Sequence, residues 1–88
     1  MTQNKIDTKA KTITIFGQPG CSKCEAAKAI CVANNRPYIY IDISENDDNR
    51  ALMFAHAGNV RSLPQVLVND KHIGGFDELK IGLGNGTV

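Results

Sequence analysis

Tryptophan is absent from this sequence, and no apolar run approaches the roughly 20 residues of a membrane-spanning helix. The opening stretch, Met1 to Lys11, is polar and lacks the apolar middle of a secretory signal. An excess of charge of either sign is missing too. The net charge is +1, which leaves no excess to hold nucleic acid or an anionic membrane. Cysteine is scarce, and its count of three is odd, so a framework of paired structural disulfides is not expected. These absences point to the cytoplasm, a reducing compartment in which one redox-active pair is the natural use of the thiols.

What is present fits one small globular domain. Eighty-eight residues with 42% hydrophobic and 22% charged content can build a modest core with short loops, and they exclude wholesale disorder. No internal repeat or dividing linker is visible. A lead-in over 1–11 is expected to be flexible, followed by one domain over 12–88.

The chain is organised around Cys21-Ser22-Lys23-Cys24. It follows an apolar alternating run, Ile13-Thr14-Ile15-Phe16-Gly17, and precedes a helix-like run from Glu25 to Asn34. A Cys-x-x-Cys at a strand-to-helix junction is a redox signature. The first thiol sits beside the free N–H groups of the helix start, where the dipole favours a thiolate. The second lies one turn on, within reach of a mixed disulfide at the first. Cys21 is thus the candidate nucleophile and Cys24 the candidate resolving thiol.

The periodicities predict a strand over 12–16, with Ile13 and Ile15 on one face, then a loop at Gly17 to Gly20. A helix over 22–34 carries a core stripe of Ala27, Ile30 and Cys31. Tyr38 to Ile43 reads as strand two, with its tyrosines and isoleucines on opposite faces. Ser44 and Asp47 resemble a capping box for a helix over 47–57, with Leu52, Met53 and Phe54 facing inward and Gly58 as its stop. Gln65 to Val68 is strand three, Asn69 to Lys71 a turn, and His72-Ile73 a short strand four. Asp77 can cap a last helix over 78–83, after which Gly84 to Val88 should fray. The order is β-α-β-α-β-β-α: an α/β fold with one four-stranded mixed sheet flanked by three helices.

This order and three motifs together resemble the glutaredoxins of the thioredoxin-fold superfamily. The motifs are Cys21-Ser22-Lys23-Cys24, Ser62-Leu63-Pro64-Gln65, and Ile73-Gly74-Gly75-Phe76-Asp77-Glu78-Leu79. They span about residues 12–83 and look most like bacterial or bacteriophage members. The resemblance implies a glutathione-dependent thiol–disulfide oxidoreductase acting on protein disulfides and glutathionylated proteins, with ribonucleotide reductase a family-level candidate. It implies a monomer with no resident metal. Pro64 would be a cis-proline opposite the active cysteine, and the Leu63 backbone would pair with the cysteinyl part of glutathione. Gly75, Phe76 and Asp77 would receive the γ-glutamyl end, Asp77 taking its ammonium.

The sequence departs from the family pattern in places. Ser22 and Lys23 replace Pro and Tyr between the cysteines. Gln18 stands where the family frequently has Lys near the glycyl carboxylate of glutathione, and Lys23 can return charge from the other side. Val60 stands where a basic residue is common, with Arg61 one position later. Ser22 also admits a rival, a glutathione-ligated [2Fe–2S] module. A thioredoxin-like donor reduced by a flavoprotein is disfavoured by the missing Trp. Zinc binding lacks a second ligand pair, since Cys31, His56 and His72 fall in separate elements. Cys31 reads as a small core residue, and both histidines as surface or packing residues.

Overall fold

The first strand, β1 (Ile13–Gly17), runs through the middle of the sheet. It pairs in parallel with β2 (Tyr38–Asp42) and antiparallel with β3 (Gln65–Val68). A hairpin joins β3 to β4 (Lys71–Gly74), so the order across the sheet is β2-β1-β3-β4. Residues 11–88 are described, in a computed structural model. The expected lead-in, Lys11 apart, lies outside the described residues.

Helices α1 (Ser22–Ala33) and α3 (Phe76–Asn85) pack together on one face, and α2 (Asp47–Ala57) covers the other. Because β1 and β3 are interior strands covered on both faces, every residue in them is buried. Alternation still sorts them. Ile13, Ile15 and Val66 join Ala27, Cys31 and Leu79 under α1 and α3. Phe16 and Leu67 join Ile43 and Met53 under α2. Each fully buried aliphatic or aromatic side chain of this size contributes about 1.5–3 kcal/mol. Tyr38 and Tyr40 pack on the first cluster and Ile41 on the second.

The four-stranded mixed sheet, its three helices and the element order are as read from the sequence, and four local expectations need correction. The N-cap of α2 is Asn46, whose side chain accepts the Asn49 N–H at 2.8 Å. Ser44 instead donates its backbone N–H and hydroxyl to the Asp42 carboxylate. On α2 only Met53 is buried, while Leu52 and Phe54 are 42% and 38% exposed. Adjacent helical residues point about 100° apart, so centring Met53 on the sheet turns its two neighbours outward.

The last helix starts at Phe76 with Gly75 as N-cap, which leaves Asp77 inside the first turn rather than capping it. Nor does the tail fray. α3 runs to Asn85, Gly86 closes it in the left-handed conformation, and Val88 folds back on the first core cluster. Arg36 donates to the Val88 carbonyl and to the Lys11 carbonyl, and Lys11 Nζ donates to the Thr87 carbonyl at 2.9 Å.

Candidate active site

Cys21 occupies the N-cap of α1 in extended backbone geometry, and its Sγ accepts the Cys24 N–H at 3.1 Å. A sulfur there meets unpaired N–H groups and the positive end of the helix, which favour a thiolate. Cys21 is half-buried and Cys24 fully buried. The two sulfurs are bonded, with their Cα atoms 5.2 Å apart, so this is the oxidised form. The pair therefore presents one partly exposed cysteine and one covered cysteine.

Gly17, the last residue of β1, makes the room beneath Cys24. A Cβ there would lie 2.9 Å from Cys24 Sγ and 2.9 Å from Cζ of Tyr40, and closer still to the Tyr40 hydroxyl. Gly17→Ala should thus overpack the site and lower stability by about 1–3 kcal/mol. A thermal melt should show this as a Tm fall of roughly 5–20 °C. An unchanged Tm would mean that the space is slack.

The Ser62–Gln65 segment carries the Leu63–Pro64 cis peptide bond. Pro64 is buried and Leu63 half-buried. Gln65, only 4% exposed, donates from Nε2 to the Ser62 carbonyl at 2.8 Å, and its Oε1 lies 2.7 Å from His72 Nε2. Thus a buried amide ties the proline loop to β4. The sequence signal for it was a polar residue opening an otherwise apolar strand.

Gly75 packs against this loop. A Cβ on Gly75 would stand 3.2 Å from the Pro64 carbonyl, so the proline and the start of α3 are neighbours. The turn into α3 needs glycine at position 74, where φ is +131°. Glu78 reaches back to accept the Gly75 N–H at 2.8 Å, and that bond holds its carboxyl below the usual range. A carboxyl with a depressed pKa contributes above its unfolded value and loses that contribution as the pH falls through the folded one. The start of α3 is therefore tied at neutral pH and loosens as the pH falls through the lowered pKa of this carboxyl, below the ordinary glutamate range. Asp77 is exposed on this first turn, and Phe76 is half-buried against the core.

On the other side of Leu63 lies a cleft lined by Gln18, Arg50, Phe54, Val60, Arg61 and Leu63. The structure thus brings Gln18 and Leu63 together, and Pro64 together with Gly75. Lys23 is exposed on the first turn of α1 and does not line that cleft. Arg50 was not anticipated. It follows Asp47 and Asp48 at the start of α2 and reads in isolation as part of a solvated helix end. With Arg61 it gives the cleft two guanidinium groups beside the neutral Gln18.

Cys31 is fully buried in the first core cluster, and burial pushes its thiol pKa up. It is a packing residue, as its spacing on α1 predicts. His56 is exposed, and His72 is engaged with Gln65. Among the described residues, no group of three or more His, Cys, Asp and Glu gathers to hold a metal ion. None of the described helices is long and apolar enough to cross a membrane.

The family model for glutaredoxin matches residues 13–73. The chain is 37% identical over 72 residues to glutaredoxin 1 of Salmonella typhimurium, a match covering 75% of this chain and 83% of that protein. Identity to glutaredoxin-C8 of Oryza sativa is 32% over 79 residues, covering 84% of this chain and 57% of that longer protein. Among solved structures, that of reduced Escherichia coli glutaredoxin superposes with a TM-score of 0.68 at 28% identity, covering 84% of this chain and 94% of that one. The chain belongs to the glutaredoxin family of thiol–disulfide oxidoreductases.

Proposed function

We propose that this glutaredoxin uses glutathione as its reductant in the cytoplasm, with Cys21 as nucleophile and Cys24 as resolving thiol. The observation that carries the reading is the half-buried Cys21 sulfur at the start of α1, taking the Cys24 N–H and joined to a covered partner. A Cys21 thiolate attacks a protein disulfide or a glutathionylated protein and forms a mixed disulfide. Cys24 then attacks Cys21 Sγ and expels the substrate thiolate. Where the mixed disulfide holds glutathione, the protein thiol has already left, and a second glutathione attacks the bound glutathione sulfur, forming glutathione disulfide and freeing the Cys21 thiolate.

Glutathione is proposed to lie along the Ser62–Gln65 segment, its cysteinyl backbone pairing with Leu63 beside Pro64. Its γ-glutamyl carboxylate would meet the free N–H groups at the start of α3, beyond the Gly75 N–H that Glu78 already occupies. Its ammonium would meet Asp77. The glycyl carboxylate would enter the cleft of Gln18, Arg50 and Arg61. These arginines supply the charge that Gln18 does not.

Coupled reduction of a small mixed disulfide tests the reductant. Turnover is expected with glutathione and glutathione reductase. Turnover with thioredoxin reductase alone would sink the reading. Asp77→Asn tests the ammonium contact. A charge-assisted hydrogen bond is worth roughly 1.5–3 kcal/mol, so apparent affinity for glutathione should fall about tenfold or more. The Tm should barely move, because Asp77 is exposed and Gly75, not Asp77, caps the helix. Unaltered glutathione kinetics would remove Asp77 from the site.

A further inference from the structure

Reduction of the Cys21–Cys24 bond leaves a charge in a place poorly suited to it. A thiolate attacking Cys21 Sγ forms a new S–S bond there, and the electron pair of the broken bond goes to Cys24 Sγ. Cys24 is fully buried, and an unpaired thiolate is disfavoured in such surroundings. The helix start serves Cys21, whose sulfur already takes the Cys24 N–H.

Tyr40 is the polar neighbour that fits the need. Its hydroxyl and Cys24 Sγ share the space a single methyl group on Gly17 would fill. Lys28 lies one turn past Cys24 on the same face of α1, with Nζ 4.2 Å from the centre of the Tyr40 ring. Glu25 holds that ammonium at 3.1 Å. The ionisable groups facing Tyr40 are Lys28 and Glu25 from α1 and Asp42 and Tyr38 from its own strand, while β1, Ile-Thr-Ile-Phe-Gly, brings none. Burial pushes the Tyr40 phenol up, so it keeps its proton at neutral pH and has an O–H to donate to an anion.

We propose that the Tyr40 hydroxyl is a hydrogen-bond donor to the Cys24 thiolate, with Lys28 adding positive potential from across the ring. This deepens the reading above, in which the Cys21–Cys24 pair is the working unit. In reductive opening of the disulfide, the donor stabilises Cys24 as leaving group. In the resolving step the same bond keeps Cys24 deprotonated until it attacks Cys21 Sγ and expels the substrate thiolate. The proton stays on Tyr40 in both directions. The attacking thiol is oxidised to a mixed disulfide as Cys24 is reduced, so electrons balance.

Titration of Cys24 in the reduced protein tests this, read from the ¹³C shift of its Cβ. A Cys21→Ser background removes coupling between the paired thiols, and the Cys31 resonance is followed separately. Tyr40→Phe, which deletes one oxygen, should raise the Cys24 midpoint by about one pH unit, a tenfold shift in the thiol equilibrium. A midpoint that does not move in the folded variant overturns the assignment. A second arm needs no loss of packing. Incorporating 3-fluorotyrosine in a Tyr38→Phe background acidifies the phenol at position 40 and should lower the midpoint, whereas a purely structural tyrosine would leave it in place. The titration contains no glutathione. Its failure is therefore separate from failure of glutathione as reductant, which the coupled assay reads.

Discussion

Cys21→Ser is expected to fold normally and to transfer no thiol. The serine hydroxyl can still cap α1, since serine is among the preferred N-cap residues, so the helix start at Ser22 should survive. What is lost is the nucleophile. A hydroxyl at neutral pH is not ionised and forms no disulfide, and no other sulfur can take over. Cys24 is fully buried behind Cys21, and Cys31 is enclosed in the core with a thiol pushed up by burial. The loss should reach the background rate with both glutathionylated and protein disulfide substrates, and a far-ultraviolet spectrum and thermal melt should match those of the wild type. Residual turnover well above background would refute Cys21 as nucleophile.

The chemistry-bearing part of the fold was legible because each piece has a local cause. Cys-x-x-Cys at a strand-to-helix junction, glycines at the turns and period-two strands all act within a few residues. The alternation in β1 also sorts its two buried faces, Ile13 and Ile15 to one cluster and Phe16 to the other. What escaped notice depends on residues far apart in the chain. Arg36 lies in the loop before β2, yet it ties the Lys11 and Val88 carbonyls together. Arg50 reaches the cleft only because α2 turns Met53 onto the sheet. Tyr40 looked like one of two alternating aromatics, and its position by Cys24 follows from the parallel pairing that sets Ile15 opposite Tyr40. The Ser44 cap failed for a nearer reason. Asp42 offers that serine a carboxylate two residues back, and Asn46 takes the cap.

Cys24→Ser should separate the two activities of the pair. Removing a glutathione adduct from a protein can run through Cys21 alone, because a second glutathione attacks the mixed disulfide from solution. Cys21 is half-buried, so that attack has a path. Releasing a substrate bound through one half of its own disulfide is different. It needs an attacker already in place, and Cys24 is that thiol, its Cα 5.2 Å from that of Cys21. A positioned intramolecular group is worth a large effective concentration. Protein-disulfide reduction should therefore fall by two orders of magnitude or more, on the order of the effective-molarity advantage lost, while deglutathionylation stays within a few-fold. Under oxidised glutathione the variant should accumulate one adduct, which mass spectrometry places on Cys21. Serine fits the buried position of Cys24 but replaces the sulfur with a hydroxyl there, so a thermal melt must accompany the rates. Equal loss of both activities in a folded variant would show that Cys24 does more than resolve. Equal retention would show that the pair is not the working unit and would leave the Cys21 thiolate acting alone.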